Sequence, residues 1–317
     1  VSTTNAVTVV CSAMVMHPGV VRVQRNGCAA LRNMADGDGL ARREVGDSGG
    51  VQGLHAAMSS SLQDPDVQWL GCGALQNLAI DEQNQARIGR SEGIGDICRA
   101  IREHATVLRV QQQACGALHN LALNSPANAR AIAESDGINA VLAAMQQFLA
   151  DAEMQWRGCR LMQNLAIDAG VRESIINAGG VILACQALRA HPEDPMLRRY
   201  AWGSLALLAS GGCAYVCEEF DAADGTTLVQ QAMRDHLGDG DVQRRCCQLL
   251  HGLAVAGGSG RRRHLLALGA AHWVQAALAR HPDDAEVQRK GGAALVAMRN
   301  SHRRCRLNIL SALRWKS

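Results

Sequence analysis

Aromatic side chains are almost missing from this sequence. They make up 3% of 317 residues, against 48% hydrophobic residues overall. A core with so few rings must be built from Ala, Leu, Val, Ile, Cys and Met, which suits short helices packed closely together. Proline is also scarce, at 6 residues, while glycine is plentiful at 32. That balance argues against a disordered tail and for many short turns between helices. No apolar run is long enough to cross a membrane, and no secretory leader pattern opens the chain. The 12 cysteines include no CxxC pair and no zinc-ligand spacing. The net charge of +3 is too small to imply a nucleic-acid partner by itself. Charge is unevenly spread, however. Residues 1–158 carry 12 basic and 15 acidic groups, and residues 159–317 carry 20 and 14.

What is present is a repeat. VQWLGCGALQNLA, Val67–Ala79, recurs as VQRNGCAALRNMA from Val23, VQQQACGALHNLA from Val110 and MQWRGCRLMQNLA from Met154. Weaker copies start at Leu197, Val242 and Val287, so successive starts differ by 43 to 45 residues. A fixed period in this range, with several short helices per copy, signals a helical solenoid. The spacing predicts one array: an incomplete repeat over 1–38, repeats over 39–80, 81–124, 125–168, 169–211, 212–256 and 257–300, and a partial helix over 301–317. The opening in mid-repeat and the terminal partial unit are expected of a piece cut from a longer protein. A structural cap is the milder alternative.

Each complete unit reads as a short helix, a break at Gly-Gly, Glu-Gly or Asp-Gly, a second helix, a short turn and the signature helix. The breaks are Gly49-Gly50, Glu92-Gly93, Asp136-Gly137, Gly179-Gly180 and Asp224-Gly225, where glycine lets the chain turn sharply. His17, His104, His191 and His281 end second helices, where a histidine suits the helix dipole. Cys28, Cys72, Cys115, Cys159 and Cys247 share one repeat position. Equivalent positions on neighbouring helices lie roughly 10 Å apart, too far for a disulfide, so these thiols read as small buried apolar residues. A reducing compartment, cytoplasm or nucleus, is expected.

Plotted at roughly 100° per residue, Val67, Gly71, Ala74, Leu75, Leu78 and Ala79 fall on one arc, the core side. Trp69, Gly73 and Asn77 fall opposite, as an exposed stripe of three slots. Across the copies the first slot holds Arg25, Trp69, Gln112, Trp156, Arg199, Arg244 and Arg289. The middle slot holds Ala29, Gly73, Gly116, Arg160, Gly203, Gln248 and Ala293. The last holds Asn33, Asn77, Asn120, Asn164, Leu207, Gly252 and Ala297. An Asn side chain offers a donor and an acceptor, so a ladder of them can pair with peptide groups irrespective of side chains. Exposed Trp69 and Trp156 would add apolar contact area. Arg160, Arg199, Arg244 and Arg289 would form a basic stretch suited to acidic or phosphorylated segments.

Three-helix units of this period, with AL-x-NLA on the third helix and a G-G-I/V break before the second, resemble armadillo repeats. The resemblance covers essentially the whole chain and is strongest over Val23–Ala166. It implies an all-α, right-handed solenoid of about seven three-helix repeats, whose third helices line a concave face. It also implies that Asn33, Asn77, Asn120 and Asn164 bind the backbone of an extended peptide. The pattern is not that of the importin-alpha branch, which has a Trp four residues before the Asn. Here Ala29, Gly73, Gly116 and Arg160 occupy that slot.

Other features carry less chemistry. Cys213 and Cys217, beside Glu218, Glu219 and Asp221, read as packed thiols and a solvated acidic face. Arg261-Arg262-Arg263 after Gly257-Gly258-Ser259-Gly260 reads as a repeat linker, since no P-loop pattern precedes it. No nucleophile–base set stands out, and nearly every chemical group recurs with the repeat, whereas an active site should be singular. The expectation is a non-enzymatic scaffold without metal or cofactor, binding a protein or peptide segment in its groove. A regulatory domain of a larger signalling protein, acting by intramolecular docking or small-anion sensing, is the alternative. Nucleic acid ranks low as a partner, and the sequence leaves the oligomeric state open.

Overall fold

The computed structural model describes residues 3–299, which form twenty helices and, among the described residues, no strand. No helix in this range is long and apolar enough to cross a membrane. Residue contacts divide the chain into two compact units that meet in sequence between Ser174 and Ile175. The partial helix expected over 301–317 lies outside the described residues.

Unit 1 opens with α1 (Thr3–Met16) and α2 (Val21–Ala35). Three complete triads follow: α3 (Gly39–Asp47), α4 (Gly50–Ser60) and α5 (Pro65–Leu78); α6 (Glu82–Arg90), α7 (Gly93–Glu103) and α8 (Leu108–Ala122); α9 (Pro126–Glu134), α10 (Gly137–Gln147) and α11 (Ala152–Leu165). The boundary between the units falls within α12 (Ala169–Asn177). Unit 2 continues with α13 (Gly180–Ala190) and α14 (Pro195–Ala209). Its two further triads are α15 (Tyr215–Ala222), α16 (Gly225–Asp235) and α17 (Gly240–Ala256), then α18 (Gly258–Ala267), α19 (Ala270–Arg280) and α20 (Ala285–Arg299).

The helix limits follow from local chemistry. Asp64, Asp151, Asp194 and Asp239 each accept backbone N–H bonds at the start of a third helix, satisfying donors that the helix itself leaves unpaired. Pro65, Pro126 and Pro195 stand at first-turn positions, where a missing N–H costs nothing. At the breaks the two residues of each pair do different work. The first takes the left-handed conformation at Gly49, Asp136, Gly179 and Asp224, with φ of 88°, 59°, 84° and 45°. The second is glycine for want of room. A Cβ on Gly50, Gly137 or Gly225 would stand 2.4–2.8 Å from Val45, Ile132 or Phe220.

The core is the predicted arc. Val67, Ala74, Leu75, Leu78 and the Cys28, Cys72, Cys115, Cys159 and Cys247 side chains are all buried. Burial pushes the Cys28, Cys115 and Cys247 thiols up to about 12, so they remain protonated and inert. No described cysteine is in a disulfide. Met14, Met58 and Met145 of second helices press on Gly27, Gly71 and Gly158, where a Cβ would lie 2.3–2.6 Å from them.

A second ladder pins the turn before each third helix. Gln24, Gln68, Gln111, Gln155, Gln243 and Gln288 each donate Nε2 to two carbonyls, ten and seven residues earlier. Those carbonyls belong to the C-terminal end of the second helix, whose last acceptors have no partner within the helix. In the copy that begins at Leu197 the slot holds Arg198, which donates to Pro192 O at 3.0 Å instead. The histidines at second-helix ends also bridge between repeats. His104 Nε2 lies 2.8 Å from Leu62 O, and His281 Nε2 lies 2.8 Å from Leu237 O.

Candidate functional site

Within unit 1 the third helices α2, α5, α8 and α11 pack side by side in chain order. Each presents its stripe at the seam with its neighbour. Asn77 Nδ2 donates to Arg32 O at 3.3 Å, and Asn120 Nδ2 donates to Gln76 O at 2.9 Å. Asn164 Nδ2 lies 3.0 Å from His119 Nδ1 and 3.5 Å from His119 O. These three residues therefore tie each third helix to the previous one. One N–H is spent on that seam, and no hydrogen bond within the described chain engages the carboxamide oxygens of Asn77, Asn120 and Asn164. Asn33, on the first third helix, is exposed and makes no seam bond.

His119 completes the last rung. Burial and the nearby Arg160 charge lower its pKa to about 4. The ring is therefore neutral at pH 7, with Nδ1 an acceptor for the Asn164 amide. Arg160 stands in the middle slot beside this pair.

The tryptophans are half-buried rather than bare. The Arg32 guanidinium lies 5.0 Å from the Trp69 ring centroid, reaching from α2, and that of Arg109 lies 5.2 Å away, reaching from α8. Arg157 stacks 5.0 Å over Trp156. Both neighbours of Trp69 thus contribute a cation to its ring, a favourable contact for the ring quadrupole. Gly73 makes this possible: a Cβ there would stand 2.9 Å from Arg32 Nε. At Gly116 a Cβ would stand 2.6 Å from Gln76 Oε1 and 2.9 Å from Arg157 Nη1. The small middle slots are therefore beds for side chains of neighbouring helices, not an empty floor.

The charge of this layer is not that of its half of the sequence. The four third helices of unit 1 hold six arginines, Arg22, Arg25, Arg32, Arg109, Arg157 and Arg160, and two carboxylates, Asp66 and Glu153. Arg25 pairs with Asp64 at 2.6 Å and Asp66 at 3.3 Å, and Arg109 pairs with Asp66. The bond from Arg25 holds the Asp64 carboxyl below its usual range. Arg157 pairs with Glu153 at 2.8 Å. The Arg32 guanidinium has no carboxylate within ion-pair distance among the described residues.

A further row escaped the helical-wheel reading. Ile80, Leu123 and Ile167, each three residues after a ladder Asn, are 56%, 44% and 62% exposed. A hollow of about 240 Å³ beside Asn164 and Ile167 is also lined by Ala122, Pro126 and Ala129. The signal was available: an apolar residue directly after NLA in three copies, just past the helix end.

In unit 2 the third helices α14, α17 and α20 pack in the same way, but the stripe differs. Arg199 is exposed and lies 5.8 Å from the Tyr200 ring. Arg244 is paired with Asp241 of its own helix, and Arg289 with Glu286 at 2.6 Å. The expected basic stretch is therefore largely compensated at Arg244 and Arg289. Where unit 1 has Asn, Gly252 brings α17 against α14: a Cβ there would stand 2.8 Å from Ala209 O. Trp202 is fully buried in the slot that holds Cys elsewhere. Arg261, expected in an open linker, turns inward and is bound through Nη1 to both oxygens of Asp221, at 2.5 and 2.6 Å. No group of three or more His, Cys, Asp or Glu side chains converges among the described residues.

No protein-family profile and no curated protein matches the sequence. Solved structures do match the fold. An engineered protein superposes with a TM-score of 0.80 at 25% identity, over 93% of this chain and 68% of its own. A structure described for a phosphorylation switch controlling the interaction between cadherin and β-catenin gives 0.79 at 15% identity, over 94% and 53%. A designed armadillo repeat protein in complex with the peptide (KR)4 gives 0.63 at 17% identity, over 78% and 97%.

Proposed function

From the armadillo-repeat fold of this chain, we propose that the third-helix face of unit 1 binds an extended segment of another protein. The observation that carries the reading is the constant register of Asn33, Asn77, Asn120 and Asn164. Three of them are locked in place by a seam bond that leaves the carboxamide oxygen unused. A locked acceptor costs little side-chain entropy when a peptide N–H arrives. The exposed Ile80, Leu123 and Ile167 supply apolar contact at the same period. The neighbouring structures support the reading by analogy, since one holds a peptide and another concerns a protein–protein interaction. The bound segment is expected to carry acidic side chains. Arginines outnumber carboxylates on this layer, and the Trp69 ring already has a guanidinium from each neighbouring helix, so a (KR)-type segment has no free aromatic face there.

The test is a panel of immobilised twelve-residue random peptides probed with wild-type protein and with Asn33→Ala. Asn33 makes no seam bond, so its replacement leaves stability within about 0.5 kcal/mol. Peptides captured by the wild type should lose about fivefold or more in affinity. Capture unchanged by Asn33→Ala and by Asn77→Ala would sink the proposal.

A further inference from the structure

Unit 2 contains a hollow between α17 and α20. The space lies where the short side chain of Ala293, in the middle slot of α20, faces α17, and Gly252 forms part of its wall. No neighbouring side chain fills it as Arg32 fills the bed at Gly73. The space measures about 270 Å³ and its walls include Gln248, His251, Arg289 and Lys290. Every one of these four side chains can donate a hydrogen bond, and two are cationic. No described carboxylate lies within ion-pair distance of Lys290, and its nearest charged neighbours include Arg289 and Arg244 as well as Glu286. Glu286 is engaged by Arg289 through both oxygens, at 3.0 and 2.6 Å. Neither Gln248 nor His251 spends its side chain on a hydrogen bond within the described chain.

We propose that this hollow is a binding site for a phosphate monoester carried by a small molecule. Convergent donors around a concave space, with an uncompensated cation in the wall, are what an oxyanion requires. A phosphate dianion suits the site better than a carboxylate. It presents three acceptor oxygens to four donor side chains, and its charge faces Lys290, the cation that no described carboxylate pairs. The raised electrostatic cost of an unpaired Lys290, whose pKa is lowered by burial and by Arg289, is relieved when the anion binds. The volume is close to the lower end of small-ligand sites, which limits the rest of the molecule to about the size of a pentose. This proposal stands apart from the peptide face of unit 1, and neither depends on the other.

Calorimetric titration of the full chain with ribose 5-phosphate, inorganic phosphate and ribose tests it. Ribose 5-phosphate should bind saturably, inorganic phosphate more weakly, and ribose not at all. Lys290→Gln should weaken ribose 5-phosphate about tenfold or more, as expected for losing a charged hydrogen bond. Ala293→Phe, at an exposed position, should block the site while leaving the urea midpoint unchanged. Arg199→Gln, outside the hollow, should change affinity less than twofold. No saturable binding of either phosphate overturns the proposal, as does binding insensitive to both Lys290→Gln and Ala293→Phe. A phosphoserine-containing twelve-residue peptide that binds more than tenfold tighter than ribose 5-phosphate overturns the small-molecule source.

Discussion

In unit 1 the seams between third helices are bridged by side-chain amides: Asn77 to Arg32, Asn120 to Gln76, Asn164 to His119. In unit 2 the same register holds Leu207, Gly252 and Ala297, and at Gly252 the seam is closed by direct backbone approach. The difference is between two ways of joining third helices on one template. A bridged seam repeats a polar group at fixed spacing, which suits a ligand that is itself periodic, such as a peptide backbone. The small slots of unit 2 border a hollow of about 270 Å³, a size that suits a compact ligand.

The comparison can be broken first at the glutamine ladder, where the effect is largest. Gln111→Leu strands two buried carbonyls and should cost about 3 kcal/mol in urea unfolding. Arg198→Leu, in the one slot where Arg replaces Gln with a single carbonyl bond, should cost about 1 kcal/mol. Equal losses would mean that the two units pin their turns alike.

Next is pH. His119 has a folded pKa of about 4 against 6.5 for an unperturbed ring. As pH falls the unfolded chain takes up the proton first, so its contribution to stability is full above the unfolded pKa and is lost between about pH 6.5 and pH 4. The loss between pH 7 and pH 5 should be about 2 kcal/mol. In His119→Gln this component should vanish. The His251 pKa in unit 2 is lowered in the same sense by burial and by Lys290, and its half-exposed ring should give a shallower slope.

Gly252→Ala should cost about 1.5 kcal/mol, because the new methyl meets the backbone of Ala209. Gly73→Ala should fall within about 0.5 kcal/mol of wild type, since the obstacle is the flexible Arg32 side chain and the helix gains propensity. Its readout is instead Trp69 fluorescence, which should change as Arg32 leaves the ring. The loss of a single seam bond falls between these two: Asn120→Ala should cost about 1 kcal/mol, while Leu207→Ala in unit 2 reports only apolar packing.

The triads and the core arc were legible because periodicity follows directly from burial. Val67, Cys72, Leu75 and Leu78 had nowhere else to go. The Asn stripe was legible as a pattern, but its seam bonds were not. That Asn77 spends a donor on Arg32 depends on how close two helices run, which a helical wheel of one helix does not contain. The same holds for Trp69, whose guanidinium neighbours come from residues 37 positions before and 40 after it. Gln111 recurred as plainly as Asn120, yet its role is set by a turn seven to ten residues upstream. Local charge misled most. Residues 1–158 are acidic on balance, but many of those carboxylates cap helices or stand on first and second helices, leaving the third-helix layer basic.

The central claim is that the ladder carboxamides meet a bound peptide backbone. The direct measurement is the side-chain amide spectrum of protein labelled with ¹⁵N-asparagine, recorded with and without a captured peptide. The signals of Asn33, Asn77, Asn120 and Asn164 should shift together, while those of Asn84 and Asn128, which are buried and bonded to Arg42 O and Leu121 O, stay in place. A peptide that binds at saturating concentration and leaves all four ladder signals unmoved would contradict the account.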